Sequence, residues 1–137
     1  MRMAYLILAH ENEAQLDALC ERLVPPGSSD FAIVHCDARS ALWKRLRKRA
    51  SNGDGRITIL RNPVAVRWGH RSQVEAIRRL ITAALRRPFD YAHLISGTDW
   101  PVIRREAMTE AIHHGGGDKC YLPSEPSRLE ARIHTLP

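Results

Sequence analysis

The run MAYLILAHENEAQLDALCERLVPPG, residues 3–27, decides the fold class. Its first part, Met3–Ala9, is apolar without alternation, the pattern of a strand buried on both faces. Asn12 then precedes Gln15 at capping-box spacing. Leu16, Leu19, Cys20 and Leu23 follow at i, i+3, i+4 and i+7, which marks one face of a helix. Pro25, Pro26 and Gly27 stop that helix. A fully buried strand that runs straight into a helix is the opening of a βαβ unit, because a parallel neighbour can only be reached by a crossover.

Working outward, the same alternation continues. Phe31–Cys36 is a second apolar strand. Residues 40–50 form a helix with Leu42, Trp43 and Leu46 inward and Lys44, Arg45, Arg47, Lys48 and Arg49 outward. A polar turn over 51–55 leads to a third strand, 56–60. Ser72 and Glu75 make an S-x-x-E capping box at the head of a third helix, with Val74, Ile77, Ile81 and Ala84 or Leu85 as its buried stripe. Pro88 ends it. Tyr91–Ser96 is a fourth strand, 104–113 a shorter helix closed by glycines, and 119–122 a fifth strand. The expected architecture is α/β: a Rossmann-like, mostly parallel sheet with helices on both faces. Residues 1–122 form one domain and 123–137 an irregular tail, expected as the start of a carboxyl-terminal half.

At 137 residues the chain is long enough for one self-sufficient core, and 44% hydrophobic with 26% charged residues excludes wholesale disorder. Twenty-one Lys and Arg against fifteen Asp and Glu give a net charge of +6, which favours anionic partners: nucleotides, nucleic acid or an acidic membrane surface. Met3–Ala9 is far short of the roughly 20 apolar residues a membrane span needs, and Glu11 and Glu13 follow it too closely for a signal peptide. The expected location is cytoplasmic, with peripheral membrane contact as an option. Cys20, Cys36 and Cys120 are odd in number and lack C-x-x-C spacing, which disfavours a disulfide framework and a zinc site. No G-x-G-x-x-G, P-loop, G-x-S-x-G, H-E-x-x-H or D-x-D motif occurs.

A doubly wound sheet binds ligands outside the carboxyl ends of its strands, near the reversal of strand order. That rule selects Ala9 and His10, the stretch from His35 to Asp37, residues 62–71 and residues 96–101. Asp37 could accept hydrogen bonds from a ribose or a base, or could cap the helix near Ser40. Trp68 beside Gly69 could offer an aromatic face, with helix N-terminal amides beyond it, or could pack over the sheet edge. The turn holding Asp99 either displays a carboxylate or is turn chemistry alone. The basic run 44–49 reads as a solvated helix face, with RNA or lipid contact as the alternative. His113 and His114 suit a helix terminus, where cations complement the dipole.

Taken together, AYLILAHENEAQL, IVHCD, ITILRNPVAVRWGHRSQVEA and FDYAHLISGTDWPV resemble the amino-terminal half of the family-14 glycosyltransferases. That family holds the core-2/I-branching β-1,6-N-acetylglucosaminyltransferases and the peptide O-xylosyltransferases, with many bacterial members. The resemblance runs from about Met1 to Asp118. It rests on V-x-W-G-x-x-S-x-V-E-A (66–76) followed by L-x-S-G-x-D-x-P (94–101). It implies the nucleotide-binding half of a GT-A-like fold that binds a UDP-sugar, UDP-N-acetylglucosamine or UDP-xylose. Transfer would invert the anomeric centre, without metal or other cofactor, to a glycan, peptide or other hydroxyl acceptor.

By the same resemblance Ile7, Asp37 and Trp68 line the uridine site, Gly69 lets backbone approach the nucleotide, and Asp99 and Trp100 stand beside sugar and acceptor. His70 departs from relatives that often carry a second glycine there. The family's glutamate base and the basic residues that hold the diphosphate lie in a carboxyl-terminal half, beyond this chain. The catalytic residue is therefore unassigned, Glu125 and Glu130 match nothing, and the chain is expected to be incomplete for catalysis. An uncovered apolar patch is expected to favour self-association, and nucleic acid is not an expected partner. The competing reading is a non-catalytic basic α/β module that binds nucleic acid or another anion.

Overall fold

The computed structural model describes residues 1–51 and 55–115. In chain order these form β1 (Met3–Ala9), α1 (Glu13–Leu23), β2 (Phe31–Cys36), α2 (Ala41–Leu46) with a 3-10 turn (Arg47–Arg49), β3 (Ile57–Ile59), α3 (Arg71–Ala84), β4 (Tyr91–Ser96) and α4 (Arg105–His114). The chain divides into two compact units, with the boundary after Arg104. The expected fifth strand and the expected boundary at 122 lie outside the described residues.

The first unit is a four-stranded sheet in the order β3-β2-β1-β4, parallel throughout. This is the Rossmann-like α/β class expected from the sequence. β1 is buried along its whole length because it is hydrogen-bonded on both sides and covered on both faces. The steps from β1 to β2 and from β2 to β3 go one way across the sheet, and the step from β3 to β4 goes back over both. With right-handed crossovers, α1 and α2 then lie on one face and α3 on the other. Ala4, Leu6, Leu8, Phe31 and Ile33 pack with Ala76, Leu80 and Ala84 of α3. The alternate residues Tyr5, Ile7, Val34 and Cys36 point the other way and are equally buried. Leu16, Leu19, Leu42 and Leu46 of α1 and α2 are the matching buried residues.

The helices correct the sequence reading in three places. The helix expected over 40–50 is α-helical only to Leu46, after which the basic run tightens into the 3-10 turn. Ser72 and Glu75 are not a capping box. His70 is the N-cap and makes no side-chain cap bond, while the Ser72 hydroxyl accepts from the Arg67 amide at 2.8 Å. The buried stripe of α3 is Ala76, Leu80 and Ala84, with Ile77 partly buried. Val74 is 67% exposed and Leu85 69%, and Ile81 is exposed as well. Ala76 and Ala84 flank Leu80 on the inner face, and these small residues let the helix sit close on the sheet. Leu94, on β4, is exposed too, so several apolar side chains of this unit face outward.

Two aspartates fix the entry to β1. Asp90 accepts from the Arg2 amide at 2.6 Å, and buried Asp30 accepts from the Met3 amide at 2.9 Å. Cys20 and Cys36 are free and buried; burial pushes the Cys20 thiol up to about 12, helped by the charge of Asp17, and raises Cys36 as well. Neither is poised as a nucleophile. Within α4, Glu106 stands in the first turn and His113 and His114 in the last, the arrangement the helix dipole favours. Among the described residues no helix is long and apolar enough to cross a membrane.

His35, at the carboxyl end of β2, is completely buried, and its Nε2 accepts from the Val64 amide at 2.9 Å. The proton must then sit on Nδ1, which has no partner among the described residues. Burial pulls its pKa below the ordinary 6.5, with the charge of Arg79 acting in the same direction. Below pH 6.5 the unfolded chain takes up a proton that the native His35 refuses, so stability is present above 6.5 and is lost as pH falls. Thermal melts from about pH 7.5 to about pH 5.5 should show falling stability, by at most about 1.4 kcal/mol per pH unit for each proton. His35→Gln, which offers Val64 a non-titrating acceptor, should flatten that slope; an unchanged slope would remove His35 as its source.

Candidate functional site

The strand order reverses at β1, which has β2 on one side and β4, the next strand after the long crossover, on the other. The carboxyl ends of β1, β2 and β4 therefore frame the crevice where such sheets place ligands. Every segment singled out from the sequence leaves one of these ends or crosses them.

At the end of β2, Asp37 does two jobs with one oxygen. Its Oδ1 accepts from the Arg39 amide at 3.1 Å, closing an Asx turn, and from the Val66 amide at 3.0 Å. The guanidinium of Arg39 donates back to the Val66 carbonyl at 2.6 Å. The Ala38 amide donates to the Val64 carbonyl at 3.0 Å. With the His35 bond, these contacts lay the segment 64–66 along the exit of β2. Oδ2 of Asp37 has no hydrogen bond among the described residues, and the side chain is 18% exposed. The capping alternative for Asp37 is corrected: Ser40 caps α2, its hydroxyl accepting from the Trp43 amide at 3.1 Å.

That strapped segment delivers the Trp-Gly turn. The His70 amide donates to the Arg67 carbonyl at 3.1 Å, and Gly69 takes φ +76°, which costs a side-chain-bearing residue strain. A Cβ on Gly69 would meet nothing within 4 Å, so its requirement is conformational and not steric. The Gly69 amide donates to Oε1 of Gln73 at 2.9 Å. Trp68 is 56% exposed and does not bury itself against the sheet edge. Its ring meets His10, at the exit of β1, edge to face with centroids 5.9 Å apart.

The third element is the turn after β4. The Ser96 amide donates to Oδ2 of Asp99 at 2.7 Å, and the Asp99 amide returns to the Ser96 carbonyl at 3.1 Å. One carboxylate oxygen thus closes the turn, and Asp99 and Trp100 both remain exposed. The turn is fastened to its neighbours twice. The Gly97 amide donates to the Leu8 carbonyl at 2.7 Å, and Gln15 Nε2 donates to the Thr98 carbonyl at 2.8 Å. At Gly97 a Cβ would lie 3.1 Å from Cβ of Ala9, so the glycine permits the close approach of the two strand ends. Gln15 was expected to complete a capping box. Asn12 Oδ1 does cap α1, accepting from the Gln15 amide at 3.1 Å; the Gln15 side chain accepts through Oε1 from Asn12 Nδ2 at 3.5 Å and donates through Nε2 to Thr98.

Ile7 stands differently from the others. Ala9, not Ile7, ends β1, and Ile7 is 0% exposed between Val34 and Ile95. His10 and His35 lie in stretches the strand-end rule selects, with roles the sequence does not show: His35 fixes the 64–66 segment and His10 supports Trp68. Arg39, which also fixes that segment, lies outside those stretches. A hollow of about 610 Å³ opens beside His10, lined by Glu11, Glu13, Asp17 and Arg45 among others. Its acids suit a hydroxyl-bearing ligand better than an anion. Among the described residues no group of three or more His, Cys, Asp or Glu side chains could hold a metal ion.

The Asp37 clamp can be tested directly. Asp37→Ala strands the Val66 amide and should cost about 1–3 kcal/mol, with faster hydrogen exchange at Val66 and Arg39. Asp37→Asn keeps one acceptor oxygen and should retain most of the protection. Equal loss in both variants would show that charge, not geometry, holds the loop.

A sequence model of the Core-2/I-branching enzymes matches residues 3–128, nearly the whole chain. No curated protein matches it. The match spans β1, the Asp37 clamp, the Trp-Gly turn and the Ser96–Asp99 turn, the same elements the fold assembles at one edge. With this fold and this match the chain belongs to the Core-2/I-branching enzyme family of glycosyltransferases, whose members join a sugar donor to an acceptor.

Proposed function

We propose that the crevice at the ends of β1, β2 and β4 binds a UDP-sugar, UDP-N-acetylglucosamine or UDP-xylose, for inverting transfer without a metal ion. The observation that carries this reading is Trp68. A large aromatic more than half exposed, held edge-on against His10 at the reversal of strand order, is a ready platform for a nucleobase. Asp37 offers its unengaged Oδ2 to a ribose hydroxyl while Oδ1 keeps the loop in place. Ile7 supports the floor from within the sheet. Asp99 and Trp100, exposed beyond β4, face the side on which sugar and acceptor would lie.

In the transfer itself a base takes the proton of an acceptor hydroxyl. The oxygen attacks the anomeric carbon from the side opposite the nucleotide, and the bond to the phosphate oxygen breaks with its electron pair leaving on UDP. The charge on the departing diphosphate then needs cationic groups or backbone amides. The missing D-x-D motif is the reason for choosing a cationic over a metal-based solution. No described residue is assigned here as the base. The competing reading, a basic module reaching nucleic acid through 44–49, is weakened because Arg45 and Arg49 are tied to Glu13 and Asp17.

UDP should bind in the presence of a chelator as well as in its absence, read by calorimetry. Base stacking on an aromatic ring is worth about 1–3 kcal/mol, so Trp68→Ala should weaken UDP at least about fivefold, and Trp68→Phe much less. Affinity that vanishes with chelator would overturn the metal-free reading. Equal affinity in wild type and Trp68→Ala would overturn the platform.

A further inference from the structure

The excess positive charge is unevenly neutralised. Along 44–49, Arg45 lies 3.3 Å from Glu13, and Arg49 lies 2.7 Å from Asp17 and 3.4 Å from Glu13. A second set of arginines, scattered in the sequence, converges with far less compensation. Between β3, at the edge of the sheet, and α3 runs a groove of about 390 Å³, in the size range of small-molecule sites. Arg61, Arg78, Arg79 and Arg86 line it, Thr58 lies on its floor, and no acidic side chain lines it among the described residues. The nearest acid they share is Glu75, which takes two bonds of 2.8 Å from Arg78 and one of 3.0 Å from Arg79. Those two guanidiniums hold its carboxyl down at about 2, so it stays charged, yet it is one charge against four.

The remaining two arginines are nearly unengaged. The Arg86 guanidinium makes no hydrogen bond or ion pair among the described residues, and Arg61 reaches only the Ala50 carbonyl, at 3.4 Å. Arg79 also donates to the Asn62 carbonyl. Arg78 stands on α3 and Arg86 in the turn that follows it, and both line the groove, so their positive charges add there. Guanidinium forks match the paired oxygens of phosphate and sulfate. No aromatic side chain lines the groove, so it lacks the stacking surface that single-stranded nucleic acid uses. The groove shares no residue with the crevice framed by Asp37, Trp68 and Asp99.

We propose that the β3–α3 groove is a second site, for a small phosphate- or sulfate-bearing anion, separate from the sugar-nucleotide crevice. The group is held by the forks of Arg61 and Arg86, with Arg78 and Arg79 completing the positive rim. The anion is either free in solution or carried on a lipid headgroup.

The test is titration of the intact chain with inorganic pyrophosphate and with sulfate, by calorimetry and by amide chemical shifts. The expected result is saturable binding with shifts centred on Thr58, Asn62 and Thr82. The double variant Arg61→Ala/Arg86→Ala, both on exposed side chains, should bind pyrophosphate at least about tenfold more weakly. It should bind UDP as before, whereas Trp68→Ala should leave pyrophosphate at this groove untouched. Failure here is thereby separable from failure of the UDP reading. Sedimentation with phosphatidylcholine vesicles, with and without phosphatidylinositol 4-phosphate, assigns the source. Arginine-dependent co-sedimentation supports a headgroup, and none, with pyrophosphate binding retained, supports a soluble anion. Absence of saturation, pyrophosphate binding that survives the double substitution, or tighter binding of a single-stranded oligonucleotide with shifts at Lys44 and Lys48 would overturn the proposal.

Discussion

A parallel strand can be reached only by a crossover that returns the chain to the same end of the sheet. That requirement governs the first unit of this protein. Because all four strands run the same way, every loop that leaves a strand tip emerges on one side, and every loop that enters a strand lies on the other. The entry side is tied down by Asp30 and Asp90, which hold the first amides of the chain. The exit side carries His10, Asp37, the Trp-Gly turn and the Ser96–Asp99 turn. Residues far apart in sequence meet there because the topology leaves them nowhere else to go.

The exit side is built from exchanged backbone bonds more than from packing. Asp37 reads the amides of Arg39 and Val66, His35 reads Val64, Gln15 reads Thr98, and Gly97 reads Leu8. Apart from the local Asp37–Arg39 turn, each joins segments far apart in sequence. The loops are therefore referenced to the rigid sheet and to one another, which is the condition for presenting an exposed ring such as Trp68 in a set orientation.

Strands were the most legible feature of the sequence. β1, β2 and β4 begin and end where the apolar runs do, and β3 differs by a residue at each end although the ladder continues through the bonds of Arg56 and Leu60. Helix α3 was misread because its sequence carries two apolar stripes, and size favoured the bulkier one. Close packing on the sheet selected the alanines. Ser72 had the right spacing for a cap, but the Arg67 amide, freed by the turn before it, took the hydroxyl first. Asp37, Trp68, Gly69 and Asp99 could be singled out because their types are unusual at strand ends. His35 fell within a selected stretch, but its role could not be read, since nothing in its neighbours announces that a loop amide will seek its ring. The arginine groove was invisible for a similar reason: its members are spread over the loop after β3, α3 and the turn beyond it, while the conspicuous run at 44–49 is partly neutralised from α1.

Ala9 and Gly97 occupy what is in effect a single volume. The strand ends that carry them approach so closely that one methyl group fills the space between, and Ala9 supplies it. The two positions therefore have a joint size and not two independent ones. A chain with glycine at 9 and alanine at 97 would fill the same space from the other strand. A change at either position alone produces overlap or a void. Along any line of descent, the two can exchange sizes only by passing through one of those states.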